Sequence, residues 1–153
     1  YYEATWDSTS VSDGDYNLDA RATDTTGNTE SEERITVSVS NEGGGMYVWD
    51  VSWKEPGPHL KSTVTILYDS DGDGVAESSD DPVSDATVYY TLTNQDTGDS
   101  QTYTGTTDSK GQVEFMWKQA PSGGYEGEVT DLTHSTYTWN SNLDADNPDS
   151  YTK

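Results

Sequence analysis

The stretch that decides the fold class of this chain is residues 60–93, which read LKSTVTILYDSDGDGVAESSDDPVSDATVYYTLT. An Asp-rich loop lies at its centre, and on both sides every second residue falls on one face. Those positions are Ser62, Val64, Ile66 and Tyr68 before the loop, and Ala86, Val88, Tyr90 and Leu92 after it. A period of two residues is typical of a half-buried β-strand. The stretch therefore predicts two strands joined by an acidic loop.

The same alternation recurs through the rest of residues 46–153, between turns rich in Gly, Pro and Asp. Five further strands are predicted, around residues 47–53, 101–107, 113–117, 125–129 and 137–139. In the first of them, Tyr47, Trp49, Val51 and Trp53 are expected to share one face. Strands at a spacing of about ten residues, without a helical period, predict an all-β fold. We expect an immunoglobulin-like antiparallel β-sandwich.

Residues 1–40 are predicted to form a separate β-hairpin around a turn at 24–28. One face of its first run holds Tyr16, Leu18, Ala20 and Ala22, and one face of its second run holds Ile35, Val37 and Val39. Because an isolated hairpin is marginal in water, we expect its edge to need strands from upstream, from the second domain or from another chain. The Gly-rich residues 41–45 are predicted to be a linker.

Two segments resemble known modules. The order Trp6-Asp7, Asp13-Gly14 and Gly27-Asn28 around the alternating residues resembles the closing half of a bacterial or archaeal immunoglobulin-like repeat. Residues 81–92 (DPVSDATVYYTL) and 106–113 (TTDSKGQV) resemble the P-V-x-x-A-T-V … T-D-x-x-G pattern of invasin-type immunoglobulin-like and fibronectin-like domains. Residues 46–153 as a whole are similar to β-sandwich modules of secreted archaeal and bacterial proteins, among them subtilisin-like peptidases. The resemblance implies an accessory module.

The acidic loop, residues 69–80, has the ligand order of an EF-hand-type calcium loop. Positions one, three, five, seven, nine and twelve are Asp69, Asp71, Asp73, the Val75 carbonyl, Glu77 and Asp80, with Asp81 as a substitute for the last. Calcium takes six to eight oxygen ligands, so the loop predicts calcium as a cofactor. The alternative is a solvated acidic turn. Because strands and not helices flank the loop, we expect an architectural role for the ion.

The charge of the chain limits its partners. Seven Lys and Arg face 29 Asp and Glu, for a net charge of −22. Nucleic acid and anionic membrane surfaces would be repelled, and no run of 18 apolar residues predicts membrane insertion. The absence of cysteine excludes disulfides and thiolate zinc sites. Acidic residues spread through the whole chain resemble the proteins of halophilic archaea, and an acidic secreted protein from a moderate environment is the alternative.

The sequence gives little support for catalysis. Only two histidines are present, and no G-x-S-x-G motif occurs. We therefore expect a non-catalytic extracellular or cell-surface module whose partners are neighbouring domains or copies of the same chain. One alternative is a filament or surface-layer subunit that assembles by strand complementation. Another is a carbohydrate-binding module whose glycan stacks on Trp49, Trp53, Trp117 and Trp139; the alternative for these residues is a place in the core.

One further acidic stretch lies near the end, residues 144–149 (DADNPD). Its spacing fits no metal-binding template. We interpret it as a frayed terminus, with a second cation site as the alternative.

Overall fold

The computed structural model describes residues 5–6, 14–20, 23–29, 33–39 and 45–153. It contains two compact units, Tyr1–Gly43 and Gly44–Lys153. Of the predicted linker 41–45, only Gly45 lies among the described residues, and it is buried at the start of the second unit. Asp7, Asp13 and Ala22 of the N-terminal pattern lie outside the described residues.

In the first unit, two antiparallel strands form the predicted hairpin: β1 (Gly14–Ala20) and β2 (Glu33–Val39). Leu18 lies opposite Ile35, and the two side chains are 37% and 54% exposed. The other face is polar, since Arg34 Nε contacts Asp19 Oδ1 at 2.7 Å across the strands. The hairpin is thus amphipathic, and two large apolar side chains of one face are exposed.

The second unit consists of eight strands and one short 3-10 helix. They are β3 (Met46–Lys54), β4 (Leu60–Tyr68), β5 (Asp81–Pro82), β6 (Thr87–Asn94), β7 (Ser100–Thr106), β8 (Gln112–Trp117), β9 (Gly124–Thr133), the helix Ser141–Leu143 and β10 (Asp149–Thr152). All strand pairs are antiparallel. The prediction of an all-β fold is confirmed.

The strands of the second unit form two sheets. In the first sheet, β4 lies between β3 on one side and β5 and β8 on the other; in the second, the order is β10-β9-β6-β7. The inner faces of the two sheets meet in one apolar core. Tyr90 of β6 stacks on Phe115 of β8 with ring centroids 5.0 Å apart, and Trp117 contacts Tyr125 edge-on at 5.5 Å. These contacts between the sheets make the fold a β-sandwich.

One correction concerns β3. The pairing register with β4 shifts between Val48 and Asp50, which marks a β-bulge. A bulge inserts one residue, and the residues beyond it change faces. The core therefore receives Met46 and Val48 before the bulge and Val51 after it. The prediction that Tyr47 shares a face with Val51 is wrong, and the Tyr47 ring is buried on the opposite side of the strand.

A second correction concerns the C-terminus. Residues 137–139 form no strand, and Trp139 makes only an isolated parallel bridge with Met46. The last strand is β10, which pairs with β9. The prediction of a frayed acidic end is wrong, because this stretch is bound to both sheets by hydrogen bonds.

Candidate metal site in the acidic loop

The acidic loop leaves the end of β4 and wraps around the side chain of Asp69. This carboxylate is 1% exposed. Its Oδ1 accepts the N–H of Gly72 at 2.8 Å and its Oδ2 accepts that of Gly74 at 2.9 Å. Both glycines have a positive φ, +71° and +74°, a conformation that costs glycine little. The two glycines thus let the backbone turn around the buried carboxylate.

The next two aspartates point at the same place. Carboxylate oxygens of Asp69, Asp71 and Asp73 all lie within 4.8 Å of one another. Within the described ranges, the two salt bridges are Arg34–Asp19 and Lys61–Glu114, so neither brings a positive charge to the loop. Three converging carboxylates therefore repel one another without a basic side chain between them.

This repulsion is one of several effects on the pKa of Asp71. The largest single effect is the hydrogen bond from the Asp73 N–H, which lowers the pKa of Asp71. Desolvation and the carboxylates of Asp73 and Asp69 act in the opposite direction, and together they raise the pKa above its ordinary value. A bound cation would remove this penalty, since an opposite charge favours the ionised carboxylate.

The carboxylates of the remaining predicted ligands are not part of this cluster. Asp80 is buried, and its Oδ2 accepts the Tyr47 hydroxyl at 2.5 Å and the Glu77 N–H at 3.1 Å. The Glu77 carboxylate accepts the Ser79 hydroxyl. The Val75 N–H donates to Asp73 Oδ1 at 2.8 Å, and Asp81 is exposed in β5. The structure thus brings together the carboxylates at positions one, three and five, and it places Asp80 in a contact with Tyr47.

Tyr47 is the residue at this site that sequence reasoning missed. Its hydroxyl donates to Asp80, and it also accepts the Glu77 N–H at 3.1 Å. Burial raises the pKa of Tyr47, and the hydrogen bond to Asp80 adds to this effect. No local pattern could have revealed the contact, because the partners are 33 residues apart and the bulge that orients β3 leaves no signature in the sequence.

The C-terminal acidic stretch, residues 144–149, has a different environment. Asp144 Oδ1 accepts the Val48 N–H at 2.8 Å and the Trp139 indole N–H at 3.0 Å. Asp146 Oδ2 accepts the Val51 N–H at 3.0 Å. These two carboxylates thus accept N–H groups of β3, whereas the N–H donors to Asp69, Asp71 and Asp73 lie within the loop itself. In the part of the chain that the structure describes, the carboxylates that lie close enough together to hold a metal ion are those of Asp69, Asp71 and Asp73.

The four tryptophans considered for glycan binding lie in separate surroundings. Trp117 is buried in the core. The indole of Trp53 stacks on Tyr151 at 5.5 Å and donates to Asp149 Oδ2 at 2.6 Å. Trp139 donates to Asp144, and Trp49 is half-buried. A glycan partner stays a prediction.

Comparison with known proteins gives no relative: no family model, no curated protein and no solved structure matches the chain. The resemblance to immunoglobulin-like modules therefore stays a prediction. Among the described residues, no helix is long and apolar enough to cross a membrane.

Proposed function

We propose that the chain is a non-catalytic extracellular module, a calcium-stabilised β-sandwich that belongs to a larger secreted or cell-surface protein. The observation that carries the proposal is the convergence of the Asp69, Asp71 and Asp73 carboxylates within 4.8 Å. The three side chains supply hard oxygen ligands, which suit calcium better than zinc or copper.

The ligand set would be completed from the same loop. Each carboxylate oxygen has two lone pairs, so Asp69 can bind a cation while it accepts the N–H groups of Gly72 and Gly74. The Val75 carbonyl and Glu77 would supply further oxygens. Asp80 would contribute its second oxygen, since Oδ2 is engaged by Tyr47, and Asp81 is the substitute. Oxygen ligands of this number favour calcium over magnesium, which prefers to keep several waters.

The ion would act as a staple. The acidic loop joins β4 to β5, and Tyr47 connects its far end to β3. A cation in the loop would fix this end of the first sheet and offset part of the net charge of −22. Saturation at about a hundredfold above the dissociation constant would stabilise the fold by about 2.7 kcal/mol. Such a contribution is large against a total of roughly 5–15 kcal/mol.

The strand order supports the immunoglobulin-like part of the proposal. The sheets of immunoglobulin domains contain strands A-B-E in one layer and G-F-C in the other, with C′ beside C in variable domains. Here β3-β4-β8 would correspond to A-B-E, and β10-β9-β6-β7 to G-F-C-C′. The resemblance of residues 81–92 and 106–113 to secreted modules suggests the parent, a halophilic archaeal surface protein or a subtilisin-like peptidase with accessory domains.

A titration tests the calcium site. We expect calcium added to the chelator-treated protein at constant high salt to bind at one site and to raise the melting temperature. The Asp69→Asn and Asp71→Asn variants should lose this rise, and Glu128→Gln, an exposed acid of β9, should keep it as the charge-matched control. An unchanged melting temperature in the wild type, or an equal rise in Asp69→Asn, contradicts the proposal.

A second candidate function is a structural subunit whose hairpin completes the sandwich of a neighbouring copy. The exposure of Leu18 and Ile35 on the apolar face of the hairpin favours it, since an apolar strand face is normally covered. Sedimentation at high salt distinguishes the two, because the subunit should form long assemblies that a Leu18→Ser and Ile35→Ser double variant does not form. A monomeric wild type contradicts this second function.

A further inference from the structure

The strand β3 lies at the edge of the first sheet, with β4 on one side only. The outer side of an edge strand presents unpaired N–H and C=O groups, which can pair with a strand of another molecule. Residues 46–53 read MYVWDVSW, with one charge and neither Gly nor Pro. Apolar, β-prone and nearly uncharged segments of this kind are an association hazard when they are exposed on an edge.

This edge is covered by residues 138–147, which we name the edge seal. Its first contacts are made by backbone: Met46 N–H donates to the Thr138 carbonyl, and Asn140 N–H donates to the Met46 carbonyl, both at 2.9 Å. Two residues farther along β3, Ala145 N–H donates to the Val48 carbonyl at 2.9 Å. The seal therefore begins as a parallel partner of the strand.

Farther along β3, the acceptors that the edge seal offers to the N–H groups of the strand are side-chain carboxylates and not backbone carbonyls. Val48 N–H donates to Asp144, and beyond the bulge Val51 N–H donates to Asp146. A neighbouring strand would accept these N–H groups with its own carbonyls and would present a new row of backbone groups on its far side. A side-chain carboxylate satisfies the same donors and presents no such row. The sheet thus ends at β3.

The same segment continues to the second sheet. The side-chain amide of Asn147 accepts the Val129 N–H at 2.8 Å and donates to the Val129 carbonyl at 3.2 Å. Asn147 thereby takes the place of a backbone partner at the edge of β9, immediately before β10 pairs with that strand. One continuous segment therefore covers an edge of each sheet on this side of the sandwich.

Gly45 makes room for the edge seal. A Cβ at Gly45 would lie 2.5 Å from the Cβ of Asn140 and 3.0 Å from the Thr138 carbonyl oxygen. These distances are too short for any larger residue unless the seal moves. By contrast, β7 (SQTYTGT), one of the two edge strands of the second sheet, is largely exposed and polar, and its sequence gives less reason for a cover.

We propose that the edge seal keeps the chain from associating through β3, and that the surface beneath it fits an extended strand of a second copy of this chain. The occupant is a second copy because the sealed strand is itself apolar and β-prone, and like segments stack on one another. Asp144 and Asp146 are the residues on which the seal depends.

The test compares full-length variants. In Asp144→Ala/Asp146→Ala, we expect hydrogen exchange at the Val48 and Val51 amides to rise by about tenfold or more, and sedimentation to show more association than in the wild type. The matched control is Val113→Ala, a core change in β8, compared at the denaturant concentration that equalises stability, and it should associate no more than the wild type.

A conservative variant separates the seal from a general charge effect. Asp146→Asn keeps an acceptor for the Val51 N–H while removing one charge, so it should stay as monomeric as the wild type. Asp144 is left unchanged in this variant, because its Oδ2 accepts the side-chain amide of Asn147 and an asparagine would place a second donor there. If the alanine double variant exposes the β3 amides and associates no more than Val113→Ala, the proposal is overturned. If the double variant does not fold, the single variant Asp146→Ala, which removes one acceptor, takes its place. Association above that of Val113→Ala supports the proposal, and exposed β3 amides without such association overturn it.

Discussion

Two Asp-rich stretches of this chain have similar compositions and different surroundings. In the acidic loop, residues 69–80, three carboxylates converge on one another. In the C-terminal stretch, residues 144–149, each aspartate faces an N–H group of β3 or of a tryptophan. The role of an aspartate in this chain therefore depends on what lies opposite it, since a carboxylate accepts a hydrogen bond or binds a cation with the same lone pairs.

The backbone explains the difference. The acidic loop folds back on itself through two glycines with positive φ, so the N–H groups that contact the carboxylates of Asp69, Asp71 and Asp73 come from the loop itself. The C-terminal stretch runs along the edge of a sheet, where unpaired donors are fixed in place. The acidic loop therefore brings three carboxylates together, whereas the C-terminal stretch supplies acceptors to β3.

The largest contrast is expected from the same substitution in both stretches. Asp144→Ala leaves the buried Val48 N–H and the Trp139 indole without an acceptor, so we expect it to lower the free energy of unfolding by about 2–4 kcal/mol. Asp73→Ala, in chelator, removes an exposed carboxylate from a repelling cluster and should change stability little. Urea denaturation of both variants measures this, and equal losses would contradict the comparison.

The next contrast is where calcium acts. At about a hundredfold above the dissociation constant, calcium should raise the free energy of unfolding by about 2.7 kcal/mol. Native-state hydrogen exchange should show local slowing at the Gly72 and Gly74 amides, which donate to Asp69. The Val48 and Val51 amides should gain no protection beyond the global change. If calcium slowed hydrogen exchange only at the Val48 and Val51 amides, the ion would bind at the C-terminal stretch and not in the acidic loop.

The sequence predicted what local spacing controls. The carboxylates of Asp69, Asp71 and Asp73 converge within five residues of chain, and the alternation of burial in β6 and β8 runs without a break. The assignment of faces in β3 failed, because one bulged residue near Trp49 reverses the alternation. The role of Asp144 could not be predicted, because its partner Val48 is 96 residues away. Contacts of that kind depend on the folded edge and leave no local pattern.

The effect of Asp71→Asn on the melting temperature should be smaller, and its sign should differ between chelator and calcium. In chelator, Asp71→Asn removes one of three repelling charges, and because the pKa of Asp71 is raised in the fold, we expect the melting temperature to rise slightly. In saturating calcium, the same variant lacks a charged ligand and should melt below the wild type. Melting curves under the two conditions measure both signs. A variant that is less stable under both conditions would show that repulsion among the carboxylates is unimportant.

The smallest expected effect is a pH dependence at the C-terminal stretch. Burial raises the pKa of Asp146 above its ordinary value of 3.8; the Val51 N–H opposes this, and the charges of Asp149 and Asp50 add to it. Because the folded state binds this proton more tightly, the resulting stabilisation is complete below the unfolded pKa and is lost as the pH rises through the folded one. The Asp146→Asn variant has no titrating group at this position, so its stability does not depend on pH in this way.

Unfolding free energies measured in urea from below pH 3.8 to neutrality test this sign, with Glu128→Gln as the control for charge. The stability of the wild type relative to Asp146→Asn should fall as the pH rises through the raised pKa. A relative stability that rises over the same interval would mean that the Val51 N–H outweighs burial and repulsion at Asp146. In that case hydrogen bonds from N–H groups would stabilise the ionised C-terminal carboxylates. The contrast with the repelling carboxylates of the acidic loop would then be larger than the raised pKa of Asp146 implies.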